Sequence, residues 1–253
     1  MVAARIRGMA RSHWLALYGG IVIAWGALYV MALPADLRSA GAVYGAEFLQ
    51  SLCVVSPDAA GFFGLVAMWL LMSAAMMAPT ALPAFATYDE IGARAGTRFG
   101  ALIGGYLAVW AGFSVLAAAA QMMLTQAGAL TVFGDSRSAA LSGALLILAG
   151  LYQFSALKEA CLSKCRAPLA FFIQHWDEGP LRNGLRLGAV CLGCCWALML
   201  LAFVGGVMNL AFMGIATLVM ALEKLTWIGA VITRPLGGLL IAGGIVTLAA
   251  AIV

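Results

Sequence analysis

Five of the six cysteines lie in two short stretches of the 253-residue sequence, each with the spacing of a helix face. Cys161 and Cys165 are four residues apart, and Cys191, Cys194 and Cys195 combine spacings of three and four. Side chains three or four residues apart meet on one side of an α-helix. Thiolates select Cu(I), zinc or iron–sulfur clusters over hard cations. The spacing therefore predicts a sulfur site for a soft metal.

Methionines accompany these thiols. Met199 follows Cys195 by one helical turn, and Met72 and Met76 share a helix face earlier in the chain. Thioethers favour Cu(I), so Cu(I) is the first choice of metal. Zinc is second, with His175 as a candidate nitrogen ligand. The competing interpretation is structural, because free cysteine packs as a small apolar residue and methionine fills irregular gaps in a core.

A redox interpretation also follows from Cys191-x-x-Cys194, which is a dithiol motif. An oxidoreductase that serves the cell envelope needs paired cysteines on the oxidising side of the membrane, where the predicted topology places only Cys53. The sequence holds two histidines and lacks a Gly-x-Ser-x-Gly elbow, a phosphate loop and a His-Glu-x-x-His motif. No catalytic residue is assigned, and the sequence favours a protein that is not an enzyme.

The elements that must position these residues are membrane helices. The chain is 64% hydrophobic and 9% charged, with a mean hydropathy of +1.04. Soluble domains carry about 25% charged residues. The net charge of +4 is not gathered in a basic tract, so nucleic-acid binding has no support. We predict an all-α, polytopic transmembrane helix bundle that forms a single domain over residues 1–253, with the lipid bilayer as its main partner.

Seven apolar stretches approach the length of about 20 residues that a membrane span needs. They cover residues 14–33, 60–82, 99–123, 139–157, the two halves of 187–222 divided at Gly205-Gly206, and about 235–253. Residues 187–222 would make about 54 Å of helix, against a hydrocarbon core of about 30 Å. If that stretch is one helix, the count falls to six. Pro79 and Pro83 are expected to close the second span, and Pro168 to end the helix of Cys161 and Cys165.

The distribution of Lys and Arg predicts a cytoplasmic N-terminus, because only Arg38 and Arg137 then lie outside. This topology brings the five clustered thiols to the cytoplasmic leaflet. No charge falls in the middle of a predicted span, which argues against a proton relay. Glu223-Lys224 is predicted to be an interfacial pair. Gly100 and Gly104 suggest close packing of the third span.

Three motifs occur in order and resemble one family. They are WLLMSAAMMAP at 69–79, YQFSALKEACL with CRAP at 152–168, and CLGCCWALM, GVMNL and EK between 191 and 224. From about residue 60 onward the chain resembles the bacterial family called domain of unknown function 2182, described as predicted metal-binding integral membrane proteins. The resemblance implies a multi-pass protein of the bacterial inner membrane, with the five clustered cysteines as its metal ligands. Many members carry a histidine shortly before the third motif, where this chain has Leu187-Gly188-Ala189-Val190, so that ligand is missing here.

Three functions are compatible with these features. The first is an inner-membrane protein that binds or hands on a soft metal, Cu(I) before zinc, through the cysteines of the cytoplasmic leaflet. Its expected partner is a metallochaperone. The second is a structural or assembly subunit of a larger membrane complex, whose other subunits would be the partners. The third, ranked last, is a thiol-based membrane oxidoreductase.

Overall fold

The fold is known from a computed structural model, which describes residues 12–33, 59–92, 98–131 and 134–251. These residues form helices, joined by turns, and contain no strand beyond one isolated bridge between Leu130 and Ser136. The helices are α1 Ser12–Ala32, α2 Ala59–Gly92, α3 Phe99–Gln126, α4 Ala139–Gln153, α5 Ala156–Arg166, α6 Pro168–His175, α7 Pro180–Leu200, α8 Ala202–Gly205, α9 Leu210–Glu223 and α10 Gly229–Ala250. A 3-10 turn, Trp176–Glu178, follows α6. The predicted all-α polytopic bundle is confirmed.

Five stretches of helix are long and apolar enough to cross a membrane: α1, α2, α3, α7 together with α8, and α10. Helices α4 and α5 pass the same test only as a pair, bent by 62°, which would give a sixth span. The remaining predicted span is α9, whose 14 residues extend only about 21 Å. It is shorter than the predicted half of the apolar stretch because residues 206–209 form a turn, so that the helix begins only at Leu210. The described residues therefore hold five or six span-length helices rather than seven.

The long uncharged stretch is broken at the predicted glycines. Helix α8 ends at Gly205, and Gly206 has a φ of +94°, a conformation that favours glycine. Asn209 then caps α9, because its side-chain oxygen accepts the backbone N–H of Phe212 at 3.1 Å. The break turns the chain so that α9 returns beside α2.

Two prolines expected to end α2 lie inside it, and the helix continues to Gly92. A proline has no N–H to donate to the carbonyl four residues earlier, which for Pro79 is that of Ala75. The indole N–H of Trp25 in α1 donates to this carbonyl at 2.9 Å. Prolines are tolerated in membrane helices where neighbours satisfy the backbone in this way. Pro235 likewise lies within α10, which starts at Gly229 and not at the proline.

Glycines allow the closest helix contacts. A Cβ added to Gly105 of α3 would lie 2.3 Å from a backbone oxygen of α7, and one added to Gly184 of α7 would lie 2.1 Å from a backbone oxygen of α3. Gly100 and Gly104 have nothing within 4 Å of such an atom, so α3 does not use the predicted pair. Helices α4 and α10 interlock through the same device, at Gly143, Gly150, Gly237 and Gly244.

Adjacent glycines of α3 give a direct test of this packing. We expect Gly105→Ala to destabilise the protein by about 1–3 kcal/mol, because the new methyl group meets backbone that cannot rotate away. Gly104→Ala is the matched control and should change stability by less than about 0.5 kcal/mol. Thermal unfolding of both variants in the same detergent measures the difference. Equal unfolding temperatures would contradict the tight contact between α3 and α7.

Candidate metal centre

Three thiols of α7 form a compact buried group. The sulfur atoms of Cys191, Cys194 and Cys195 all lie within 4.8 Å of one another, and each residue is 1% exposed. The Sγ atoms of Cys194 and Cys195 are 3.2 Å apart, and the Cys194 thiol donates to the carbonyl oxygen of Cys191 at 3.1 Å. Among the described residues, no other group of three His, Cys, Asp or Glu side chains is placed to hold a metal.

Helix α5 packs beside α7 and adds two half-buried thiols. The Sγ of Cys165 lies 4.0 Å from the Sγ of Cys194. Cys161 lies against Gly193, where an added Cβ would be 2.5 Å from the Cys161 sulfur, so α5 can approach only because residue 193 has no side chain. Helix α5 ends before Pro168, as predicted. All five thiols in the described residues are free.

The other predicted ligands are Met72, Met76, Met199 and His175, and each has contacts of its own apart from the thiols. Met72, Met76 and Met199 are buried in the main apolar core. The Nδ1 atom of His175 lies 2.8 Å from the carbonyl oxygen of Phe171, one turn earlier in α6. The burial of the three methionines suits packing as well as metal binding, and His175 is half-buried, so all four ligands stay predictions. Cys53 lies outside the described residues.

Two polar groups that the sequence analysis did not connect with the thiols contact Cys191. The ammonium of Lys224 donates to the Cys191 sulfur at 3.1 Å and to the Thr80 hydroxyl at 2.6 Å. The Tyr106 hydroxyl lies 3.1 Å from the same sulfur and donates to the carbonyl oxygen of Met77 at 2.9 Å. An ammonium at this distance compensates the negative charge of a thiolate or of a metal–thiolate centre.

Two opposing effects act on the pKa of Lys224, namely burial and the charges of the nearby thiolates. Removal from water alone would lower the pKa of this ammonium, but the negative charges of nearby thiolates, that of Cys191 first, outweigh this effect and raise the pKa well above its ordinary value. The Lys224 ammonium and a Cys191 thiolate therefore stabilise each other.

The predicted interfacial pair at 223–224 is wrong, because its two side chains have separate partners inside the protein. Glu223 accepts from the ammonium of Lys158 at 2.8 Å, and both side chains of that ion pair are 1% exposed. Lys224 turns to the thiols instead. The only signal in the sequence was a pair of charges at the end of a long uncharged stretch, which does not show that either side chain turns inward.

The donor set fits a soft metal. Sulfur atoms from two helices lie within about 4 Å of one another, close to the separation that metal–sulfur bonds of about 2.3 Å require. Calcium and magnesium require oxygen ligands, which this group does not offer. A cavity of about 340 Å³ lies beside the group, and Cys165 and Cys191 are among the residues that line it.

Fold and site together define a helix bundle that handles a metal. The chain belongs to the PpoB2 family, described as copper chaperone, whose sequence profile matches residues 66–247. The matched range includes the five clustered thiols together with Tyr106 and Lys224. This agrees with the expected membership of a metal-binding family and with a role that is not enzymatic. No curated protein matches the chain, and no solved structure matches it.

Proposed function

We propose that this protein carries Cu(I) in the membrane and hands it on to a protein partner. The metal is bound by the sulfurs of Cys191, Cys194 and Cys195 in α7, called the sulfur group below. The observation that carries the proposal is the set of three buried sulfurs within 4.8 Å of one another, on Cys191, Cys194 and Cys195. The description of the family as copper chaperone supports the choice of metal. The long apolar helices and the Lys/Arg distribution support a multi-pass location in the bacterial inner membrane, with the thiols towards the cytoplasm.

Charge supports Cu(I) bound by two thiolates at a time. Two thiolates with one Cu(I) carry a single negative charge, which the ammonium of Lys224 balances. A net charge left in a buried site would be costly. The third cysteine then remains a neutral thiol that is free to exchange. Three thiolates with Zn²⁺ would carry the same net charge, so competition between the two metals is part of the test.

The difference in burial between the thiols of α5 and α7 suggests the route by which copper is transferred. Cys165 is half-buried, whereas Cys194, 4.0 Å away, is fully buried. In each exchange one copper–sulfur bond forms and another breaks, the proton of the incoming thiol passes to the outgoing thiolate, and copper stays in the +1 state. Cys161, Met72, Met76 and Met199 are the proposed additional ligands along this route. His175 keeps its proposed role only for zinc.

The test is elemental analysis of the detergent-purified protein after reductive loading with Cu(I). We expect about one copper per chain in the wild type and none in a Cys191/Cys194/Cys195→Ser triple variant that keeps its helical circular dichroism. Loading with an equimolar mixture of Cu(I) and Zn²⁺ should yield copper only. Absence of copper from the wild type, or equal copper in the triple variant, would overturn the proposal.

The Tyr106 hydroxyl, which lies 3.1 Å from the Cys191 sulfur, gives a second prediction. We expect Tyr106→Phe to lower the Cu(I) affinity by about 10–100-fold, as removal of a group that supports a metal ligand commonly does. The ring packing against Phe85 and Trp110 stays, so the fold should persist. Competition with a coloured Cu(I) chelator measures the affinity. Tyr88→Phe, a buried tyrosine that packs on Phe172 in α6, is the matched control and should bind as the wild type does.

A further inference from the structure

The cavity beside the sulfur group has a distinctive lining. It lies between α2, α5, α6, α7 and α9 and has a volume of about 340 Å³. Apolar side chains and prolines make up most of its wall. Its polar residues are Thr80, Cys165, Arg166, Cys191, Lys224 and Thr226. Two of these are cations, and no carboxylate lines the cavity.

Of the two cations, Arg166 has one carboxylate within ion-pair distance among the described residues, and Lys224 has none. Among the described residues, Lys224 bonds only to a hydroxyl and a thiol. Arg166 donates to the backbone oxygen of Glu223 at 2.9 Å, and its carboxylate partner, Glu159, lies 3.5 Å away and is 65% exposed to solvent. The carboxylate of Glu223 is occupied by Lys158. The residues that line the cavity therefore include two cations and no carboxylate, and a Cys191 thiolate would compensate Lys224 but not Arg166.

Cations in the lining are unexpected on the path of a positive cargo. A bare Cu(I) ion would be repelled by two cations, and in a low-dielectric surrounding that repulsion is strong. An anionic complex of copper would instead be attracted. Cys165 and Cys191 line the same cavity as the cations, and the half-buried Cys165 would be the first acceptor thiol for such a complex.

The volume of the cavity limits which molecules could deliver copper to it. A volume of about 340 Å³ lies near the lower end of small-molecule sites, which span roughly 300–1,000 Å³. A folded donor protein does not enter such a space. We infer that this cavity receives Cu(I) as a complex with a small, negatively charged thiol, whose carboxylates are recognised by Arg166 and Lys224. The inference rests on the proposed function and names the donor for the same site.

The transfer step is a ligand exchange. The Cys165 sulfur bonds to copper as one bond from copper to the small thiolate breaks. The proton of the Cys165 thiol goes to the departing thiolate, which leaves as a neutral thiol, and copper remains Cu(I). Cys194, whose sulfur lies 4.0 Å from that of Cys165, then accepts the copper in the same manner.

The experiment compares two small donors with the reduced, full-length protein in detergent. One donor is Cu(I) with glutathione, which is anionic, and the other is Cu(I) with cysteamine, which carries an ammonium group. We expect loading from glutathione to be faster by roughly tenfold, within the range of electrostatic steering. Arg166→Gln should lose most of this preference, and Arg166→Lys should keep it. Lys164→Gln is the matched control, because Lys164 is exposed on the same helix outside the cavity and should change nothing.

A second variant tests the cavity without removing a charge. Thr226 is exposed at the cavity wall, so Thr226→Trp should leave the fold intact and slow loading from glutathione by obstruction. Equal rates from the two donors, or an undiminished preference in Arg166→Gln, would overturn the inference while copper binding stands. If no donor loads copper at all, the proposed function itself fails and the inference with it.

Discussion

Replacing Cys194 with serine should lower the affinity for Cu(I) by more than about 100-fold. Its sulfur lies 3.2 Å from that of Cys195 and 4.0 Å from that of Cys165, so it links the thiols of α7 to α5. Removal of groups that only support a ligand costs about 10–100-fold, and a central ligand should cost more. Serine offers a hard oxygen in place of a soft sulfur. Equilibrium competition with a Cu(I) chelator gives the affinity.

Cys161→Ser is the matched comparison within the same set of thiols. The Cys161 sulfur lies against Gly193, and no hydrogen bond joins it to another described thiol. We expect its replacement to lower the affinity by about tenfold or less, since a peripheral sulfur supports the site more than it completes it. If the two single variants bind copper equally well, Cys194 is not the central ligand.

Lys158→Met should destabilise the protein by about 3–5 kcal/mol. The ammonium of Lys158 lies 2.8 Å from Glu223, and both side chains are 1% exposed. The second carboxylate oxygen of Glu223 already lacks a hydrogen-bond partner in the described structure. Without Lys158, the whole carboxylate would be a buried charge with no counter-ion. Unfolding by denaturing detergent in mixed micelles, followed by circular dichroism, measures the loss.

Two further variants separate this effect from a general loss of packing. In Lys158→Met/Glu223→Leu both charges are absent, and we expect most of the stability to return, because apolar replacement of a whole buried pair is often neutral. Lys164→Met removes an exposed charge from the same helix and should cost less than about 0.5 kcal/mol. A double variant as unstable as the single one would refute a stabilising ion pair.

The spacing of cysteines was enough to predict the core of the site, but not its surroundings. Cys191, Cys194 and Cys195 lie in one helix, so their proximity follows from helical geometry alone. Tyr106 and Lys224 reach the same sulfur across sequence separations of 85 and 33 residues. Such contacts depend on how the helices pack, which local patterns do not encode. The cavity and its charge were invisible in the sequence for the same reason.

The hydropathy pattern located the helices. The errors concern where helices end and which glycine makes a close contact, which depend on the turns and on residues distant in sequence. Pro79 should have closed α2 by its own chemistry, but the indole of Trp25 replaces the missing backbone bond. The turn at residues 206–209, which precedes the capped start of α9, leaves that helix below the length of a span. Gly105 rather than Gly104 makes the close contact, because the face that meets α7 is decided by tertiary packing.

The ion pair between Lys158 and Glu223 also has a consequence for the order in which the helices can assemble during synthesis. The two residues are 65 positions apart, so at about 5–20 residues per second a ribosome adds the carboxylate roughly 3–13 s after the ammonium. During that interval a buried Lys158 would have no counter-ion, which would cost several kcal/mol. We therefore expect α5 to dock in its final place only after the residues of α9, which end with Glu223, have been synthesised. Because Cys165 belongs to α5, we expect its thiol to join those of α7 at the same step, after Glu223 has been added.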